Sequence, residues 1–202
     1  MHRSLPYFFL GLLLLARGVV AQVELSADIV DVKKSGDPVT HKVYLGLYKA
    51  RIDPEKAGGY SFVMDLINHR STILMPEQHK YFRESTDQVG AGTRQIYALL
   101  RPDDVDNACE DWLKIKFLRT ETCLKVGAEL VNQRRTVKYE GRCFDEVCYI
   151  WIDRDLRLPV KYENKTGTTE MRNIREGGQP GSLFEIPADY TETFTLGGII
   201  SR

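Results

Sequence analysis

Apolar and polar residues alternate with a period of two along much of this chain, the pattern of strands that bury one face. Residues 25–32 are rich in β-branched side chains, and Lys34-Ser35-Gly36-Asp37-Pro38 then supplies the glycine and proline of a reversal. The stretch 39–52 carries apolar residues on both sides, Val43, Leu45 and Leu47 against Tyr44 and Tyr48. That predicts one long central strand, stopped by Asp53-Pro54. Tyr60, Phe62, Met64 and Leu66 fall on one side of a strand over 60–67, and short strands over 72–75 and 80–84 follow around turns at 68–71 and 76–79. The second half repeats the scheme at 124–130, 136–142, 147–153, 158–163 and 168–175, with short polar connections between. Short connections make sequence neighbours sheet neighbours, so the reading is one antiparallel sheet.

Helical period is confined to one dependable place. Acidic Asp103 and Asp104 after Pro102 suit the amides and dipole of a helix start, ahead of Val105, Ala108, Cys109, Trp112 and Leu113 at spacings of three and four. A weaker helical candidate covers 89–100. Past Gly177-Gly178-Gln179-Pro180-Gly181 the segment 182–190, with Leu183, Phe184, Ile186 and Tyr190, is expected to pack back as an apolar clasp.

The first residues belong to a different pattern. Arg3 precedes an apolar run from Tyr7 to Ala16, which is too short to span a bilayer, and Val19-Val20-Ala21 offers the small residues of a signal-peptidase site. Residues 1–21 therefore read as a secretory signal cut after Ala21, with Arg17 arguing against an uncut anchor. Residues 22–202 are long enough for one ordinary core and are read as a single domain. The signal removes Arg3 and Arg17 from 28 basic residues and none from 28 acidic ones, leaving a net charge near −2. No electrostatic case for nucleic acid exists at that balance.

Export also decides how Cys109, Cys123, Cys143 and Cys148 are read, because disulfides are the default outside the cytoplasm. Cys143 and Cys148 flank a four-residue loop between two strand-like runs, where cross-strand pairing brings their Cβ atoms into bridging range. That leaves Cys109 with Cys123, closing a loop of about 15 residues, which chain-entropy arguments value at about 3 kcal/mol. Zinc is the minor reading, since no Cys-x-x-Cys occurs and His69 and His79 lie in another segment.

Several motifs in order then resemble a known family. Gly46 with Tyr48-Lys49-Ala50-Arg51, followed by Ile73-Leu74-Met75-Pro76-Glu77-Gln78-His79-Lys80-Tyr81, is similar to the first half of LolA-like proteins, the periplasmic outer-membrane lipoprotein-carrier superfamily. Gly127-x-Glu129-x-Val131-Asn132, Val137-x-Tyr139-Glu140-Gly141, Trp151-Ile152-Asp153 and the ending Leu183-Phe184-Glu185-Ile186-Pro187 resemble the second half. The resemblance implies a mainly β fold, a strongly curved antiparallel sheet forming an incomplete barrel with a few covering helices. It also implies a cavity for lipid or lipoprotein acyl chains, and a role in outer-membrane biogenesis with an inner- or outer-membrane receptor as further partner. In that family an arginine on the second strand holds the lid through backbone carbonyls, and Arg51 stands at the matching place; the plain alternative is a solvated arginine at a strand end. Tyr60, Phe62, Met64, Leu66, Leu74, Met75 and Trp112 are the candidate lining of the cavity, with ordinary core packing as the alternative; Trp151 and Phe184 read as core.

Catalytic patterns are missing. No serine lies in a Gly-x-Ser-x-Gly elbow, His41, His69 and His79 lack ligand spacing, and Gly58-Gly59 and Gly177-Gly178 form no phosphate cradle. Asn164-Lys165-Thr166 has the form of a glycosylation sequon. The expectation is a non-enzymatic, monomeric periplasmic carrier without cofactor or metal; the competing one is an envelope sensor or scaffold of the same fold that binds a protein.

Overall fold

The computed structural model describes residues 23–56, 58–65, 68, 70–84, 104–108, 123–143 and 146–193. In them the strands are β1 (Leu25–Lys33), β2 (Val39–Leu45), β3 (Lys49–Pro54), β4 (Ser61–Asp65), β5 (Arg70–Met75), β6 (Lys80–Glu84), β7 (Cys123–Val131), β8 (Arg134–Cys143), β9 (Glu146–Asp153), β10 (Pro159–Asn164), β11 (Gly167–Glu176) and β12 (Thr191–Glu192). All twelve belong to one curved, unclosed sheet in the order β12-β6-β5-β4-β3-β2-β1-β11-β10-β9-β8-β7. The mainly β architecture is the one the alternation and the short connections imply. Two meanders, β1 to β6 and β7 to β11, are joined by the antiparallel pairing of β1 with β11. β12 runs parallel to β6, so the sheet is mixed and not purely antiparallel.

Local chemistry sets the turns. Asn132 and Gln133 take φ of 47° and 66°, the doubly left-handed two-residue hairpin whose twist matches that of β7 and β8. The Asn164 carboxamide oxygen accepts from the amides of Thr166 and Gly167, which fixes the β10–β11 reversal and gives the sequon-like tripeptide a structural role. Asp104 caps a one-turn helix at Val105–Asn107 by accepting from the Asp106 amide.

The single strand expected over 39–52 is instead a hairpin. Gly46, Leu47 and Tyr48 turn the chain between β2 and β3, closed by the Gly46 amide on the Lys49 carbonyl at 2.8 Å. No proline or asparagine announces this turn, and Leu47 and Tyr48 at its tip are exposed, so alternation alone carried the strand through it. Gly46 has a packing reason as well, because a Cβ there would come within 3.0 Å of the Phe184 ring. Of the helix expected after Pro102 only the Val105–Asn107 turn is among the described residues, and the candidate over 89–100 lies outside them. Among the described residues no helix reaches seven residues, and none is long and apolar enough to cross a membrane.

Cross-strand register sorts the side chains into two faces. Leu25, Ala27 and Ile29 pair with Leu45, Val43 and His41, which pair in turn with Ala50, Ile52 and Pro54, and then with Met64 and Phe62. This is the apolar face. Its principal cluster joins Leu25, Ala27, Val43, Leu45, Ala50 and Met64 to Met171, Val160, Leu156 and Leu158. Full burial of a side chain such as Leu25 or Met64 is worth about 1.5–3 kcal/mol, so these few positions dominate the sheet's stability. On β8 and β9 the same face presents Val137, Tyr139, Ile150 and Ile152, which pack beneath Val105 and Ala108.

Candidate functional site

Two places on this sheet are built for something beyond support: the apolar face itself, and the opposite face of β2 to β6, where the C-terminal segment crosses as a strap. Four of the eight expected ligand residues, Tyr60, Phe62, Met64 and Met75, stand on the apolar face or in its turn. Met64 and Met75 are fully buried, whereas Tyr60 and Phe62 are half-buried. Ile29 and Ile52 are also half-buried and pack on the principal cluster beside Phe62.

Arg51 and Leu74 belong elsewhere. Their register places them on the opposite face, with Arg51 paired to Tyr44 and Val63, and Leu74 paired to Ser61 and Tyr81. There Leu74 packs with Val63 and Phe184, and Tyr44, Tyr81, Leu183, Ile186 and Tyr190 close around them. The apolar clasp read at 182–190 is therefore present, and it covers this face. Arg51 donates from Nη1 to the Leu183 carbonyl at 2.8 Å and from Nε to Asp53 Oδ1 at 2.7 Å. Its fork thus spans a strand carboxylate and a strap carbonyl, a geometry suited to the guanidinium. Leu66 and Trp112 lie outside the described residues.

Farther along, the strap is tied down by polar side chains. His79 Nδ1 lies 2.6 Å from Asp189, the His79 and Tyr190 rings are 5.5 Å apart, and Arg83 Nη1 lies 2.9 and 3.0 Å from the two Glu192 carboxylate oxygens. The amides of Thr191 and Thr193 donate to the carbonyls of His79 and Tyr81. Sequence reasoning took His79 as a turn residue and missed both of these contacts. Partners 109 and 110 positions apart leave no local signal.

At the other end of the sheet Asp153, 1% exposed, is an organising group. Its Oδ1 accepts from the amides of Asp155 and Leu156, and its Oδ2 takes the Arg134 guanidinium, which also reaches Glu176 at 2.9 Å. This fixes the β9–β10 turn, which delivers Leu156 and Leu158 to the principal cluster.

Electrostatic perturbations follow local partners. The Trp151 indole N–H and then the Lys138 ammonium, at 2.7 and 2.9 Å, hold Glu129 below the usual carboxylate range. Hydrogen bonds from Lys42 and Asn173 do the same for Asp28. Burial raises the Tyr139 hydroxyl, which donates to the Val105 carbonyl, and burial raises Tyr162 too. None of these groups forms a nucleophile–base pair. Among the described residues no group of three His, Cys, Asp or Glu is placed to hold a metal.

Cys143 and Cys148 form the cross-strand disulfide expected of them, with Cα atoms 5.9 Å apart. Cys123 is also disulfide-bonded, and Cys109, its expected partner, lies outside the described residues. Such bonds suit an oxidising compartment. A third feature is the sheet's terminal strand β7, whose Leu124, Val126 and Leu130 are 68%, 53% and 71% exposed.

The described residues thus form one curved, unclosed sheet with an apolar face and a strapped back. Comparisons with known proteins agree at the level of the fold. No protein-family model matches the chain, and no curated protein matches it in sequence. Among solved structures it is similar to an uncharacterized conserved protein from Thermus thermophilus, with TM-score 0.56, 10% identity, and coverage of 87% of this chain and 93% of that one. It is also similar to a chain of the Pseudomonas aeruginosa MucA/MucB complex, with TM-score 0.53, 15% identity, and coverage of 84% of this chain and 58% of that one. Structural neighbours include LolA superfamily proteins, such as one from Nitrosomonas europaea with TM-score 0.32, 11% identity, and coverage of 81% of this chain and 89% of that one.

Proposed function

We propose that this protein is a non-enzymatic periplasmic carrier or binder of a hydrophobic ligand, a lipid or the acyl chains of a lipoprotein, acting as a monomer with its signal cut after Ala21. The observation that carries the reading is the continuity of the apolar face. From β1 to β4 it presents Ile29, Ile52 and Phe62 half-buried above a floor of Val43, Ala50 and Met64, which is the surface an acyl chain needs. Each chain methylene moved from water to such a surface contributes about 0.8 kcal/mol before ordering costs are subtracted. Tyr60, Phe62, Met64 and Met75 line the site in this reading. Arg51 and Leu74 act from behind, by holding the strap that stiffens β2 to β6.

The test is to produce the chain with its own leader, purify it from the periplasm and identify co-purifying lipids by mass spectrometry. Bound lipid or displaceable fluorescent fatty acid is the expected result, lost on Phe62→Asp. A preparation that is lipid-free and ignores both fluorescent fatty acids and uncharged fluorescent glycerides refutes the carrier reading.

A second reading, an envelope sensor or scaffold that binds a protein, draws on the β7 edge. Among the described residues β7 ends the sheet, and a terminal strand with three exposed apolar side chains suits addition of a partner strand. Crosslinking in intact cells followed by identification of the attached protein, with and without Leu130→Lys, separates this reading from the first.

A further inference from the structure

Burial along the apolar face changes in one direction. Let the lower rim be the side of the β2–β3, β7–β8 and β9–β10 turns, and the upper rim the side of the β1–β2, β3–β4 and β10–β11 turns. On β10 and on β1 to β4 the apolar face is buried toward the lower rim and half-buried toward the upper one, whereas on β11 it is buried at mid-strand, at Met171, with Thr169 half-buried above and Ile174 half-buried below. Val160 gives way to Tyr162 and Asn164 on β10, and Met171 to Thr169 on β11. On β1 to β4, Ala27 gives way to Ile29 and Asp31, Val43 to His41, Ala50 to Ile52, and Met64 to Phe62. The same face of β9 stays buried beneath Val105 and Ala108, and β5 stays buried through Met75. The face is therefore buried below on β10 and on β1 to β4, and half-buried above over the width of β10 to β4.

Side-chain chemistry turns at the same level. Tyr162 pairs with Thr169, Thr169 with Asp31, and Asp31 with Val39, with His41 diagonal to Asp31. The Thr169 hydroxyl donates to Asp31 Oδ1, and Asn164 Nδ2 donates to the Tyr162 hydroxyl at 3.2 Å. An arc of hydroxyls, an amide, an imidazole and one carboxylate thus borders an apolar floor. Lys33 and Lys80 stand farther out and are exposed.

Taking the carrier reading as its basis, we infer that the ligand enters at the upper rim as an amphiphile. Its chain lies over Ile29, Ile52 and Phe62, and a neutral, hydroxyl-bearing head of the glyceride type rests against Asp31 and Thr169. A carboxylate at the inner edge of the rim accepts hydrogen bonds from hydroxyls and repels an anionic head, so the rim selects by head group while the floor accepts any chain.

The experiment compares 1-monoolein with oleate, whose chains are matched, on the whole purified protein at pH 8. One hydrogen bond to a charged acceptor amounts to about tenfold in affinity. Monoolein is expected to bind at least tenfold tighter, and Asp31→Asn, which keeps an acceptor for Thr169, brings the two ligands within about threefold. In Phe62→Trp the new fluorescence should be quenched more by bromine beside the head of a bound glyceride than by bromine at the chain terminus. Equal binding, preference for oleate, or equal quenching from both bromine positions overturns this inference and leaves the carrier reading intact. Failure of both ligands to bind overturns the carrier reading as well.

Discussion

Replacing Arg51 with alanine tests whether the strap is held by its guanidinium or by apolar packing alone. The substitution removes a 2.8 Å hydrogen bond to the Leu183 carbonyl and a 2.7 Å ion pair with Asp53, whose side chain is 23% exposed. A hydrogen bond from a charged donor contributes about 1.5–3 kcal/mol, and a partly screened ion pair adds about 0.5–1 kcal/mol. Tyr44 and Val63 are its cross-strand neighbours, and the two interactions together set the expected loss at about 2–4 kcal/mol. Arg51→Lys should recover less than half, because an ammonium does not span both acceptors at the fork's geometry. Urea unfolding followed by tryptophan fluorescence measures the loss. Hydrogen exchange localises it, and the amides of Leu183, Tyr190 and Thr191, which are bonded within the strap or to His79, should exchange faster while β8 and β9 are unchanged. A loss below about 0.5 kcal/mol, or faster exchange spread evenly over the sheet, refutes the assignment.

Other substitutions have defined directions. Gln133→Gly relieves a side chain held at φ 66° in the β7–β8 turn and should stabilise by about 0.5–1 kcal/mol, read as a higher urea midpoint. Asp153→Ala leaves the Asp155 and Leu156 amides unpaired and Arg134 with Glu176 alone, and should cost about 3 kcal/mol with loss of protection in the β9–β10 turn. Asp28, whose native carboxyl is held below its unfolded value by Lys42 and Asn173, contributes stability that is complete above the unfolded value near pH 4 and fades as pH falls toward the native one. Wild-type stability should therefore drop between about pH 5 and pH 3 more steeply than that of Asp28→Asn in a pH series of denaturant melts.

Much of this fold was legible because its connections are short. Turn chemistry at 34–38, Asn132-Gln133 and Asn164-Lys165-Thr166-Gly167 fixed hairpins where the residues themselves demand a reversal, and alternation supplied the faces between them. The exception is informative. Gly46-Leu47-Tyr48 carries apolar side chains through a reversal, and only the later arrival of Phe184 against Gly46 explains that glycine. The site was half legible for a related reason. Phe62 and Met64 announce their face through periodicity with neighbours two residues away, whereas Leu74 packs on Phe184 and Arg51 bonds Leu183, contacts that depend on a segment more than a hundred residues downstream.

The pairing of β1 with β11 bears on how the molecule acquires its shape. Ile29 meets Met171 and Val30 meets Glu170, across most of the chain's length, while the other antiparallel pairings of the sheet join strands consecutive in sequence. Hairpin arrays close on the microsecond scale, but zipping the two meanders together must first overcome the entropy of a very long loop. Refolding is accordingly expected to be limited by this one seam. Until that seam forms, the chain is two half-sheets with their greasy sides uncovered, and a weakened seam is expected to show itself as aggregation during refolding before it shows as a lower melting temperature.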